Sequence, residues 1–134
     1  MKTDNELIAE FMGVYETKDS FDSYGHDIPC YYTDNGIYRT RTLTVPGKTF
    51  SDFCKAAQYH TSWDWLMPVV DKIESLRKYY STRIHFNADE GIHFCDIVDV
   101  DNYERACQKS CISKITAVYK AVVQFIKWYN NYGK

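Results

Sequence analysis

The stretch Tyr59–Leu76, which reads YHTSWDWLMPVVDKIESL, decides the fold that the sequence predicts. Its apolar positions recur at intervals of three and four and continue just past its end: Leu66, Val69, Val70, Ile73, Leu76 and Tyr80. Thr61 or Ser62 can accept a hydrogen bond from an unpaired backbone N–H at a helix start. Pro68 falls on the polar side, where it deletes one hydrogen bond of the helix. The stretch is therefore predicted to be an amphipathic helix with one face in the core.

A shorter amphipathic helix is predicted near the N-terminus, at Glu6–Met12. Asp4 or Asn5 can cap its first turn, because a short polar side chain accepts from the unpaired N–H groups there. Gly13 can end it in a left-handed conformation, which costs glycine no steric strain. The chain therefore begins with a helix that has one apolar side.

The last predicted helix begins at Ser110 or Ser113, ends near Tyr132 and carries two apolar strips. The first strip is the expected core face: Ile115, Val118, Tyr119, Val122, Ile126 and Tyr129. The second strip consists of Ala117, Ala121, Phe125 and Trp128. One packing partner does not cover both strips, so the helix is expected either to be buried on two sides or to use Ala117, Ala121 and Trp128 in a dimer contact.

A first β-hairpin is predicted at residues 31–45 around Asn35-Gly36. Asn-Gly between β-branched and aromatic runs favours a two-residue turn with positive φ at both positions. Such a turn pairs Tyr32 with Arg39 and leaves Arg41 on the same face. The preceding residues, 14–30, are rich in turn formers and are predicted to be a loop with at most a short strand.

A second hairpin is predicted at residues 82–98, with Gly91 left-handed in a three-residue turn. A loop with an odd number of residues would place Ile84 and Phe86 on the same face of the hairpin as Ile92 and Phe94. His85 would then stand opposite His93 on the other face. After the turn at 99–102, Asp101 is expected to cap a short helical segment that ends at Lys109.

The composition limits the class of protein. With 134 residues the chain is long enough for one core, and we predict a single domain, 1–134. A net charge of −2 argues against duplex DNA or an anionic membrane as partner. No secretion signal or membrane span is visible, so a soluble cytoplasmic protein is expected. The five cysteines form no C-x-x-C pair and are expected to be reduced and mostly buried.

The first hairpin and the start of the central helix together suggest a binding site. Arg39 and Arg41 offer guanidinium forks for phosphate, beside the rings of Tyr32 and Tyr38. The helix start adds backbone N–H groups and polar or aromatic side chains, which suit an anion and a stacked base: His60, Ser62 and Trp63. The alternative is that both arginines merely keep an exposed strand soluble.

Catalytic and metal sites have weaker support in the sequence. It has no G-x-S-x-G, no phosphate-binding glycine loop and no H-E-x-x-H. Cys54 or Cys95 could pair with His60 or His93, although nothing local fixes such a geometry. His85, His93 and Cys95 could hold a metal, with Asp96 or Asp99 nearby. We therefore expect no catalytic residue and no cofactor, with a metal-dependent hydrolase as an alternative.

Three stretches resemble a layout found in small proteins of tailed phages and prophages: 7–13 (LIAEFMG), 59–74 (YHTSWDWLMPVVDKIE) and 119–130 (YKAVVQFIKWYN). The chain resembles the phage α-β-α sandwich domain family, including versions from phages of gut Bacteroidetes. Residues 14–58 look like an inserted loop and hairpin region. The resemblance implies a viral accessory protein of an infected bacterial host, and many such proteins act against host defences.

These patterns predict an α+β fold: one layered domain in which an antiparallel sheet of hairpins packs against the central and C-terminal helices. The predicted function is sequestration, without catalysis, of a phosphate-containing small molecule of the nucleotide type, by a homodimer that counters host defence. The alternative from another class is a protein–protein interaction module that docks on a host or virion protein.

Overall fold

The structure, a computed structural model, describes residues 2–13, 15–21, 27–32, 54–55, 57–76, 80–87, 91–101, 103–110 and 112–133, with backbone alone for 15–21, 27–32 and 83–87. In chain order the elements are α1 (Asp4–Phe11), β1 (Tyr15–Phe21), β2 (Asp27–Tyr32), α2 (Trp63–Ser75), β3 (Ser81–Asn87), β4 (Ile92–Val98), β5 (Glu104–Ser110), α3 (Lys114–Trp128) and a π-helical turn (Tyr129–Gly133). The fold class is α+β, as predicted. The chain divides into two compact units, Met1–Ala57 and Gln58–Lys134.

The first unit begins with α1, which starts earlier than predicted. Its cap is Thr3, not Asp4 or Asn5, and the Thr3 hydroxyl accepts a hydrogen bond from the Glu6 N–H at 3.2 Å. Asn5 instead lies inside the helix, where its side-chain amide donates to the carbonyls of Cys54 and Ala57. Gly13 has the predicted left-handed conformation, with φ of 70°.

The same unit contains an antiparallel pair of strands, β1 and β2. Tyr15 pairs with Tyr32, Phe21 pairs with Asp27, and the register is irregular between Thr17 and Ser20. Most of the segment predicted as loop is therefore strand. Of the turn formers that suggested a loop, Asp19-Ser20 lies at this irregularity, where a strand tolerates such residues, and Asp22-Ser23 and Tyr24-Gly25 lie outside the described residues. The predicted Asn35-Gly36 turn lies outside the described residues.

The second unit contains a three-stranded antiparallel sheet in which β4 lies between β3 and β5. The buried side of this sheet is marked by Cys95, Ile97 and Ala106. α3 packs against β4 and β5, while α2 packs against β3 and α3. The predicted packing of the central and C-terminal helices on a sheet is thus confirmed within this unit.

The predicted register of β3 with β4 is wrong by one residue. Asn87 pairs with Ile92, so the connection holds an even number of residues, although Gly91 is left-handed as predicted, with φ of 64°. Phe86, not His85, therefore stands opposite His93. The predicted register assumes that Ile92 and Phe94 lie on the core face of β4. In the structure the other face of β4 is the core face, and its residues Cys95 and Ile97 are fully buried.

The segment predicted as a short helix after Asp101 is the strand β5. Its burial alternates from Ala106 to Ser110, but the side chains on the inner side are small or polar, so the sequence carries no apolar period of two. The strand contains a bulge: Ile97 pairs with Ala106, whereas Val98 pairs with Glu104. Arg105 is therefore the extra residue.

The central helix α2 begins at Trp63 and buries four residues of the predicted core face, Leu66, Val69, Val70 and Ile73, together with Trp65. Leu76, also predicted on that face, is half-buried at the end of the helix. Ser62 is the cap residue, in an extended conformation, and Pro68 lies inside the helix. Tyr80 is buried as predicted but lies after the helix has ended. Its ring contacts the Phe125 ring of α3 edge-on, at 5.1 Å between centroids. An aromatic contact therefore joins the segment after α2 to the last helix.

The C-terminal helix α3 begins after Ser113, whose hydroxyl accepts a hydrogen bond from the Thr116 N–H. Of the two outcomes that the sequence left open for its second apolar strip, burial on two sides is the one observed. Ala117 and Ala121 are both fully buried within the chain, so they leave no exposed surface for the predicted dimer contact. Among the described helices, none combines the length and apolar character that crossing a membrane requires.

Candidate functional site

The sequence-predicted binding residues fall into two groups. Tyr38, Arg39 and Arg41 lie outside the described residues, and for Tyr32 the structure gives the backbone, which pairs with Tyr15. The other group, His60, Ser62 and Trp63, lies at the start of α2 in the second unit. The described part of the predicted site is therefore the N-terminal end of this helix.

Backbone hydrogen bonds build the approach to α2. The N–H groups of Thr61 and Ser62 both donate to the Gln58 carbonyl, at 3.2 and 2.9 Å. The Ser62 carbonyl in turn accepts from the Trp65 and Leu66 N–H groups. The Ser62 side chain makes no capping hydrogen bond, although serine is a favoured cap residue. The turn thus places a hydroxyl beside the positive end of the helix dipole without using it to close that end.

Aromatic rings surround this helix start. Trp63 is 38% exposed, and the exposed His60 has its ring 5.9 Å from that of Tyr119 on α3. Tyr59 and Trp65 are buried and contact each other edge-on at 5.2 Å between ring centroids. The buried pair anchors the turn, so Trp63 and His60 are presented from a fixed backbone. The arrangement offers a stacking surface beside a helix N-terminus.

A second polar cluster lies in the turn between β4 and β5. One carboxylate oxygen of Asp99 accepts hydrogen bonds from the N–H groups of Asp101 and Tyr103, both at 3.0 Å. The other accepts from Arg105 at 2.9 Å. Burial alone would raise the pKa of Asp99, but these hydrogen bonds and the Arg105 charge outweigh it and lower the pKa. The cluster therefore stabilises the turn through an ionised carboxylate.

Arg105 is also packed between two rings. Its guanidinium carbon lies 4.6 Å from the centroid of Trp128 and 5.5 Å from that of Tyr103. Such cation–π contacts and the ion pair to Asp99 fix the side chain and link β5 to the end of α3. This cluster is not predicted from the sequence, because the sequence pattern predicts a helix for residues 101–109. Its role in the structure is to hold elements together.

The thiols described by the structure are not activated. Burial raises the pKa of Cys54 to about 11 and that of Cys95 to about 12, and nearby carboxylates add to both effects. Hydrogen bonding to Asp96, followed by burial, raises the pKa of the exposed Cys107 to about 12. All three are therefore protonated at neutral pH, whereas a cysteine nucleophile must be a thiolate. This argues against catalysis by Cys54 or Cys95.

The observed strand register does not pair two residues of the predicted metal set, His85 and His93, with each other. His93 and Cys95 are two residues apart on β4, but the backbone pairing places Phe86 across from His93. A different set of donors comes together on β4 and β5: Asp96, Glu104 and Cys107 offer ligand atoms that all lie within 4.8 Å of one another. Asp96 belongs to the metal set predicted from the hairpin, whereas Glu104 and Cys107 do not, because residues 101–109 are predicted there to be a helix.

No protein family, no curated protein and no solved structure matches the chain.

Proposed function

We propose that the chain is a binding protein without turnover that takes a phosphate-containing small molecule at the N-terminal end of α2. The observation that carries the proposal is the start of this 13-residue helix, where the cap residue Ser62 makes no side-chain bond to the helix. Backbone N–H groups and the dipole at such an end attract an anion. The Ser62 hydroxyl is a further donor for a phosphate oxygen.

Trp63 gives the proposed site its preference for a flat ligand. The indole is 38% exposed and follows directly on the cap residue, so a phosphate at the helix end and a ring on the indole are within reach of one small molecule. Stacking of a base on an aromatic side chain contributes about 1–3 kcal/mol. A nucleotide combines both features. The sequence-predicted residues Arg39, Arg41, Tyr32 and Tyr38 belong to the first unit, and their part in ligand binding stays a separate prediction.

The resemblance to small phage proteins supplies the biological part of the proposal. A protein that binds a nucleotide-type signal tightly and does not turn it over lowers the free concentration of that signal. In the cytoplasm of an infected bacterium this would blunt an immune response that the signal triggers. The protonated thiols described above agree with binding in place of nucleophilic catalysis.

Isothermal titration with nucleoside mono- and triphosphates, cyclic dinucleotides and inorganic phosphate tests the proposal. Trp63→Ala should weaken the best ligand by about 5- to 150-fold, which corresponds to one stacked base. Met67→Ala is the matched control, since Met67 lies one turn further along α2 and is also 38% exposed. Equal affinities of the two variants, or no binding across the panel, would refute the site.

In the same titration, removing a negative charge from the helix end should strengthen binding instead of weakening it. Asp64 lies in the first turn of α2, is exposed and carries a negative charge that interacts with the same helix end. Asp64→Asn should therefore strengthen phosphate binding by about two- to fivefold, the size of a helix-dipole charge effect. Separately, the double variant Arg39→Ala plus Arg41→Ala tests the arginines predicted from the sequence, and it should weaken binding if they contact the phosphate. Unchanged affinity in that variant would refute this prediction.

A second candidate function, docking onto a host or virion protein, has one observation in its favour. Ala117 and Ala121 are buried, but Trp63 and Met67 form an exposed apolar pair on α2, four residues apart. Aromatic and methionine side chains are enriched at interfaces. The variants described above discriminate: a protein partner should be lost with Trp63→Ala and with Met67→Ala, whereas a stacked small molecule should be lost with Trp63→Ala alone.

A further inference from the structure

The bulge in β5 brings together side chains that a regular strand would separate. Residues 104 and 107 are three apart, so in an unbroken strand their side chains would point to opposite faces. Arg105 is the extra residue of the bulge, and Glu104 pairs with Val98 while Cys107 pairs with Asp96. Because Asp96 and Val98 share one face of β4, Glu104 joins Cys107 on that face.

The three side chains on this face form a compact donor set. The carboxylate oxygens of Asp96 and Glu104 and the sulfur of Cys107 lie within 4.8 Å of one another. Glu104 and Cys107 are exposed and Asp96 is half-buried, so an ion can reach them. Asp96 and Cys107 come from a directly paired position on neighbouring strands, which limits their relative movement.

We propose that Asp96, Glu104 and Cys107 bind one thiophilic divalent cation, of which Zn²⁺ is the representative. Zinc takes thiolate sulfur at about 2.3 Å and carboxylate oxygen at about 2.0–2.2 Å in a tetrahedral arrangement. These bond lengths require donor separations of roughly 3.3–3.6 Å, so the three side chains need to close by at most about 1.5 Å. Three protein ligands leave the fourth position to water.

The ligand types select the class of cation. Mg²⁺ and Ca²⁺ prefer sites made only of oxygen, whereas a thiolate favours zinc and other soft or borderline ions. When zinc displaces the Cys107 proton, the two carboxylates and the thiolate carry three negative charges, of which a divalent cation offsets two. The donor set is therefore better matched to zinc than to magnesium or calcium.

Titration of the reduced full-length protein with Zn²⁺, in a competition assay against a chromophoric chelator, tests the proposal. We expect one Zn²⁺ per chain. Cys107→Ser and Glu104→Gln should each weaken binding at least as much as the roughly 10- to 100-fold loss caused by removing a hydrogen-bond partner of a metal ligand. Asp71→Asn, which removes an exposed carboxylate from α2, should leave the affinity unchanged.

Two further measurements distinguish a specific metal site from nonspecific attraction of cations to surface carboxylates. Cd²⁺ should produce an ultraviolet charge-transfer band from the thiolate, absent in Cys107→Ser, and Zn²⁺ should protect Cys107 from alkylation. A hundredfold excess of Mg²⁺ should not displace Zn²⁺. The proposal is overturned if no Zn²⁺ binds, if Cys107→Ser binds it as tightly as the unaltered protein, or if Asp71→Asn weakens binding as much as Glu104→Gln. All variants should keep the melting temperature of the metal-free protein, since the altered side chains are exposed.

Discussion

At the scale of single residues, Asp99 is the group whose ionisation contributes most directly to the fold described here. Its carboxylate accepts from two backbone N–H groups and from Arg105, and its pKa is lowered from the ordinary value of 3.8. A lowered carboxyl pKa stabilises the folded state above the unfolded-state pKa, and this stabilisation is lost as the pH falls through the folded-state pKa. We predict that Asp99→Asn lowers stability at neutral pH.

The pH dependence distinguishes this effect from a general loss of packing. Urea unfolding of both proteins should give a constant difference in unfolding free energy above about pH 5, and the difference should shrink as the pH falls below about 4. Asp101→Asn is the control, because Asp101 lies in the same turn and contributes its backbone N–H, which the substitution keeps. A difference that is the same at pH 3 and pH 7 would contradict the prediction.

At the scale of elements, sequence periodicity predicted the helices better than the strands. The apolar spacing of α2 and α3 specifies a face, and both helices bury that face. Gly13 and Gly91 are left-handed as turn chemistry predicts. Register is different, because a shift of one residue exchanges the two faces of a strand. Ile92 and Phe94 were therefore assigned to the core face of β4, whereas the buried side carries Cys95 and Ile97.

The same reasoning explains what was predicted of the candidate sites. Helix-start chemistry indicated Ser62 and Trp63, because capping residues and ring positions are local features of the sequence. The donor set of Asp96, Glu104 and Cys107 depends on pairing between strands and on a bulge, and neither is local. The inner residues of β5 are Ala106, Gln108 and Ser110, which give no alternating apolar signal. A site built across strands is therefore hidden until the register is known.

The burial of α3 on two sides gives a prediction for that element. Ala121 is fully buried, so Ala121→Leu forces extra volume into a filled core and should destabilise the protein by about 1–3 kcal/mol. Lys120→Leu is the matched control, since its neighbour Lys120 is exposed. Chemical unfolding measures the loss, and light scattering follows the oligomeric state. An unchanged stability combined with an altered oligomeric state would show instead that Ala121 lies in an interface.

At the scale of the whole molecule, the division into Met1–Ala57 and Gln58–Lys134 bears on the predicted single domain. The second unit holds most of the large, fully buried side chains: Tyr59, Phe125, Leu66, Ile73, Ile97, Ile126, Val69 and Val118. The described elements that bury them include α2, α3 and the strands β3 to β5, which contact one another within this unit. Such a core is large enough for a small domain to fold.

We therefore predict that a fragment of residues 58–134 folds without the first unit. Its far-ultraviolet circular dichroism should retain the signal of α2 and α3, and its thermal unfolding should be cooperative, as expected for a small domain with its own core. Ile73→Ala in the fragment should lower stability by about 2–5 kcal/mol, because Ile73 is fully buried. Asp71→Ala, at an exposed position two residues earlier on α2, should cost much less. A fragment that unfolds without a transition would establish that the core requires residues 1–57, and the single domain predicted from the sequence would then stand.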